Sequence, residues 1–154
     1  MNLNSKSNLQ TSLKALLIGL ALTAGLSAEP LNKSFFGNKA IHGYDAVSYF
    51  KGKPVPGSAD ISMEYRGAVW FFATRENLAE FRARPAAFAP QYGGYCAYAV
   101  ANGYLADVDP LSWRIVSGKL YLNYDSDIQK KWEATRAEMI RNADSNFADM
   151  SKSK

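Results

Sequence analysis

The chain has 154 residues, of which 47% are hydrophobic and 21% charged, with a formal net charge of +4. That length suits one domain, and the apolar share is enough for a packed core, which excludes wholesale disorder. No block of lysines and arginines and no basic face emerges, so nucleic-acid binding has no support in the sequence.

The first residues read as an export signal. Lys6 and Lys14 form a positive start, an apolar run follows from Ala15 to Leu26, and Ser27-Ala28 precede Glu29-Pro30. A membrane span needs about 20 apolar residues, so this shorter run suits the core of a signal peptide. Residues 1–28 are therefore predicted to be cleaved, giving a periplasmic or secreted protein with no stable membrane insertion. Cleavage removes two lysines and no acid, leaving 16 basic against 14 acidic residues and a net charge of +2. In an oxidising compartment a single cysteine, Cys96, has no partner for an intramolecular disulfide; it is expected to be buried, metal-bound or reactive.

Residues 29–40 read as an irregular lead-in arm that packs by Phe35 and Phe36. Asp45 to Phe50 reads as a short helix or turn with Asp45 as its N-cap, and Lys51 to Ser58, with two prolines and two glycines, as a loop. Ile61–Tyr65, Arg66-Gly67 and Ala68–Ala73 have the pattern of a β-hairpin. Thr74 is placed to cap a helix reaching about Arg84, where Pro85 stops it. After Gly93-Gly94, a short helix is predicted over Cys96–Asn102, with Gly103 as its stop. Asp107–Pro110 reads as a turn; calcium or acid–base chemistry at Asp107 and Asp109 is the less favoured reading. Trp113–Val116, Ser117-Gly118 and Lys119–Leu122 give the clearest hairpin. One amphipathic helix is predicted from Ser126 to Ala143, with Ile128, Trp132, Thr135, Met139 and Ala143 on its apolar stripe. A disordered polar tail is expected over 148–154. The expected fold class is α+β: a small antiparallel sheet of hairpins, short helices and a C-terminal amphipathic helix, in one domain over 41–147.

Several segments together resemble the YHS-domain proteins, in particular the exported single-domain YHS domain-containing (seleno)proteins. They are His42–Phe50, Trp70–Ala73, Phe81 with Pro85, Gln91–Ala99 and Gly118–Tyr124, in that order. The resemblance implies a small α+β domain with metal-binding or redox links. Many YHS domains end the hairpin strand in Cys-Ser with a second cysteine four residues after the first; Ala73, Thr74 and Asn77 stand at those positions. The motif's tyrosine and histidine fall at Phe88 and Met63. The resemblance further implies that Cys96 stands where some relatives carry selenocysteine.

Cys96 and the only histidine, His42, are thus the candidate site residues, and three readings follow. In the first, a non-catalytic protein binds a soft transition metal of the copper type, with Cys96 thiolate and His42 imidazole as ligands. In the second, Cys96 is the nucleophile of a thiol-based redox enzyme that works with a small redox partner, with His42 as base and Asp45 orienting it. In the third, Cys96 is buried and inert and the domain is a structural or interaction module, since free cysteines often behave as small buried hydrophobes. Of the neighbouring tyrosines, Tyr92 is read as packing; Tyr95 and Tyr98 either flank the thiol or pack.

Overall fold

A computed structural model describes residues 29–34 and 36–152. The predicted signal segment and Phe35 lie outside the described residues. Among the described residues, nine regular elements follow the order β1 (Ser58–Tyr65), β2 (Ala68–Phe72), α1 (Arg75–Ala83), α2 (Pro85–Phe88), α3 (Ala97–Ala101), β3 (Asp109–Val116), β4 (Lys119–Asn123), α4 (Ser126–Ala134) and α5 (Arg136–Lys152). Short 3-10 turns over Ile41–Gly43, Ser48–Lys51 and Gln91–Gly94 punctuate them. The fold is α+β, with two separate two-stranded antiparallel sheets, β1–β2 and β3–β4. No helix among the described residues is long and apolar enough to cross a membrane.

Both hairpins form where the turn chemistry places them. Arg66-Gly67 and Ser117-Gly118 take positive φ at both central positions, the geometry that matches the right-handed twist of paired strands. Registers run Met63 opposite Trp70 and Ile115 opposite Leu120. Thr74 caps α1 by accepting from the Asn77 amide, an interaction of about 1 kcal/mol. Pro85 ends α1 and also opens α2, because its fixed φ suits a first helical position and its missing N–H is not needed there. Gly103, at φ 86°, follows α3 as predicted.

Three expectations are corrected. Phe36 is not buried: it is 81% exposed. The C-terminal helix is two helices that part at Thr135, at φ −130° and ψ 34°. In one straight rod Trp132 and Phe147 would stand roughly 22 Å apart at about 1.5 Å per residue. The break lets both enter one cluster with Tyr92, Val100 and Tyr121, and leaves Thr135 exposed. The region expected to be a disordered tail is helical through Lys152.

The larger core gathers Val47, Tyr49, Trp70, Phe72, Phe81, Leu120, Leu122 and Cys96. Phe81 is its centre, with Trp70 at 4.9 Å, Phe72 at 5.1 Å and Tyr65 at 5.7 Å between ring centroids. Beneath it sits Asp45, fully buried. Its Oδ1 accepts from the amides of Val47 (2.8 Å) and Ser48 (3.3 Å), and its Oδ2 from the Ala73 amide (2.8 Å) and Asn77 Nδ2 (2.6 Å). Asn77 Oδ1 in turn accepts from Lys51 Nζ at 2.6 Å. Asp45 is more than a local cap: one carboxylate ties the 45–48 turn to the end of β2 and the start of α1.

The arm is held by the Gly-Gly loop. The Asn32 amide donates to Gly93 O at 2.8 Å and Asn32 Nδ2 to Gly94 O at 3.1 Å. A Cβ on Gly93 would run into the Pro30 carbonyl oxygen, and its φ is +60°, so glycine is required there on both counts.

Two predictions follow. Asp45→Ala takes the acceptor from the Val47 and Ala73 amides and from Asn77 Nδ2, and should lower the unfolding free energy by about 3 kcal/mol or more in urea titration. Gly93→Ala should lift the arm, seen as faster hydrogen exchange of the Asn32 amide while the amides of the β3–β4 hairpin keep their protection.

Candidate functional site

Cys96 stands immediately before α3, and its amide donates to Ala106 O at 3.0 Å. That bond folds the 104–106 segment back over the start of the helix. The thiol is 1% exposed and points to Asn123 Oδ1 at 3.8 Å, which also accepts from the Tyr98 amide at 3.2 Å. Asn123 Nδ2 is buried without a hydrogen-bond partner among the described residues. The sulfur thus faces an acceptor, which suits the neutral thiol. Burial pushes its pKa up; the backbone amides of Ala99, Tyr124 and Tyr98 pull the other way and are outweighed.

Cys96 also lines a cavity of about 240 Å³, with Tyr98, Ala99, Tyr104, Ala106, Tyr124 and Ile128. Every side chain of this wall is apolar or aromatic apart from the thiol and three phenol groups. Tyr104 and Tyr124, 52% and 56% exposed, form its solvent side. No cation lines it. A cavity of this kind takes an apolar group, because entry removes apolar surface from water on both partners.

His42 lies elsewhere. It occupies a left-handed turn, with Ile41, His42 and Gly43 at φ 48°, 51° and 85°. A β-branched residue at positive φ is strained, and the strain is held by the packing of buried Ile41 in the main core. His42 Nε2 lies 2.8 Å from Asp107 Oδ1. The same oxygen accepts from Asn32 Nδ2 (2.9 Å) and the Val108 amide (2.8 Å). Partial burial pushes the Asp107 carboxyl up, but the hydrogen bonds from Asn32, His42 and Val108 prevail and hold it below the ordinary carboxylate value. Asp107 is thus a junction joining the arm, the 41–43 turn and the chain before β3.

The structure therefore gives Cys96 and His42 separate surroundings: the thiol faces Asn123, the imidazole faces Asp107, and His42 is absent from the wall of the Cys96 cavity. Asp45 does not orient His42, since its four contacts go to other groups. Among the described residues no set of three or more His, Cys, Asp and Glu side chains converges as a metal site would. Of the tyrosines, Tyr98 flanks the thiol cavity; Tyr95 donates to Leu31 O; Tyr92 packs against Tyr121 and Phe147 and donates to Asp144 at 2.8 Å. The cavity wall beyond residue 99 was missed by sequence reading, because Tyr104, Ala106, Tyr124 and Ile128 come from three separate segments with no shared local mark. No protein-family model, no curated protein and no solved structure matches this chain.

A thiol whose folded pKa is raised keeps its proton where the unfolded chain loses it. Its contribution is fully present below the unfolded value, about 8.5, and declines as pH rises from there toward the folded value. Stability measured from pH 8 to 10 should fall, and Cys96→Ala should flatten the first part of that fall after allowance for its lower starting stability.

Proposed function

We propose that this protein is a non-catalytic binding domain of YHS-like type whose Cys96 cavity receives a small apolar or aromatic group, with the thiol as a neutral part of the wall. The observation that carries this reading is the buried thiol, facing Asn123 Oδ1, in the wall of an apolar cavity bordered by two half-exposed tyrosines. A nucleophile or a soft-metal ligand works as thiolate, which is favoured by nearby cations or donors strong enough to offset burial. Here burial prevails, and the imidazole that would be its partner is engaged by Asp107. The periplasmic or secreted location expected from residues 1–28 is part of the same proposal.

Indole is a suitable probe, being aromatic, uncharged and small enough for the cavity. It should shift the NMR signals of Ala99, Ala106 and Ile128 and slow labelling of Cys96 by N-ethylmaleimide. Tyr104→Ala and Tyr124→Ala should each weaken indole roughly tenfold, the loss of one aromatic contact of about 1.4 kcal/mol. Charged thiol reagents should react far more slowly than N-ethylmaleimide until the protein unfolds. One Cu(I) per chain that is lost in both Cys96→Ser and His42→Ala would overturn this reading in favour of metal binding. Peroxide-dependent dimedone labelling of Cys96 would overturn it in favour of redox chemistry.

A further inference from the structure

A second cleft, of about 300 Å³, is walled by the arm, the β1–β2 turn, the 90–93 segment and α5. It shares no lining residue with the Cys96 cavity. Leu31, Trp70, Tyr92 and Phe147 contribute apolar surface, and three charged groups line it: Arg66, Glu29 and Asp144.

Arg66 occupies the first central position of the β1–β2 turn at φ 53°. Asn or Gly suits that conformation best, and a long side chain there carries a backbone cost. The turn itself therefore gives no reason for arginine; its guanidinium does. It donates to Glu29 Oε2 from the arm, so a carboxylate already sits on it. Asp144 accepts from the Tyr92 hydroxyl at 2.8 Å. The side chains of the cleft thus set one cation against two carboxylates. A simple anion would meet net negative charge, and a simple cation would compete with Arg66 for the same acids. A molecule carrying both charges satisfies both sides.

From this arrangement we propose that the cleft binds a small zwitterion of the amino-acid class with an apolar side chain. Its carboxylate takes the place of Glu29 on Arg66 in bidentate fashion, its ammonium faces Asp144, and its side chain lies along Trp70 and Phe147. Glu29 is an internal competitor that occupies the anion position when the ligand is absent.

The test titrates the full chain with L-phenylalanine, with phenylacetate and phenethylamine as analogues lacking one charge each, following the Trp70 indole and Gln91 amide signals by NMR. L-Phenylalanine should bind at least tenfold more tightly than either analogue. Arg66→Asn suits the turn conformation, so it should keep or raise the melting temperature while weakening binding tenfold or more. Asp144→Asn keeps an acceptor for Tyr92 and should weaken L-phenylalanine but not phenylacetate. Glu29→Gln should strengthen L-phenylalanine severalfold, an effect no structural role for Glu29 would produce. The proposal is overturned if L-phenylalanine gives no shifts at about 10 mM with Glu29→Gln, or if Arg66→Asn binds it as the unaltered chain does.

Discussion

The buried carboxylate of Asp45 is the contact on which the rest of this domain depends. A charge at zero exposure is tolerable only when its oxygens are fully engaged, and here four donors meet them from three places in the chain. The consequence is geometric. The 45–51 turn, the residue after β2 and the first turn of α1 cannot move independently, so the aromatic core of Trp70, Phe72 and Phe81 is assembled against a fixed floor. Asn77 extends the constraint outward, its amide NH₂ on Asp45 and its carbonyl on Lys51, which also pairs with Glu80. The Ala73 amide and the Asn77 side chain thus close a polar clasp on Asp45.

The second constraint is steric. Gly93 lets the Pro30 carbonyl approach where no side chain fits, and the arm then reaches Asp107 through Asn32. The single histidine joins the same junction. Gly-Gly beside a lone cysteine invites the idea of a loop shaped around a thiol; the distances instead assign the glycine to the arm. His42 belongs to that latch, and Cys96, three residues beyond Gly93, belongs to the core.

What the sequence disclosed follows from the range of each interaction. The Ser117-Gly118 and Arg66-Gly67 turns, the Thr74 cap and the Gly103 stop are decided within four residues, and each is where the sequence puts it. Asp45 looked like a local cap because its Val47 and Ser48 bonds are local; its partners 28 and 32 residues away carry no local mark. The Asp107 partner of His42, 65 residues away, is equally silent in the sequence. The break at Thr135 has neither Gly nor Pro to announce it. It arises because Trp132 and Phe147 converge on one cluster, a demand that only the assembled core makes. The cavity was hidden for the same reason: its wall draws on α3, the 104–106 segment, the end of β4 and α4.

These constraints bear directly on what the thiol can do. Asn123, fully buried, spends its carbonyl on the Tyr98 amide and the Cys96 S–H, so ionising Cys96 would set a thiolate against a carbonyl oxygen with the carboxylate of Asp125 also unfavourable nearby. Three backbone amides are too few to offset that together with the desolvation of the sulfur. The fold thus selects the neutral thiol, and a neutral thiol is a soft, polarizable, nearly apolar surface. Set among Tyr98, Tyr104 and Tyr124, it matches the chemistry of an aromatic guest better than that of a substrate to be attacked. The 90–98 segment then serves two different ends: Gln91, Tyr92 and Gly93 face the cleft of Arg66, while Cys96 and Tyr98 face the apolar cavity. The turn between them, held by the arm on one side and by Ala106 on the other, keeps the two recesses separate.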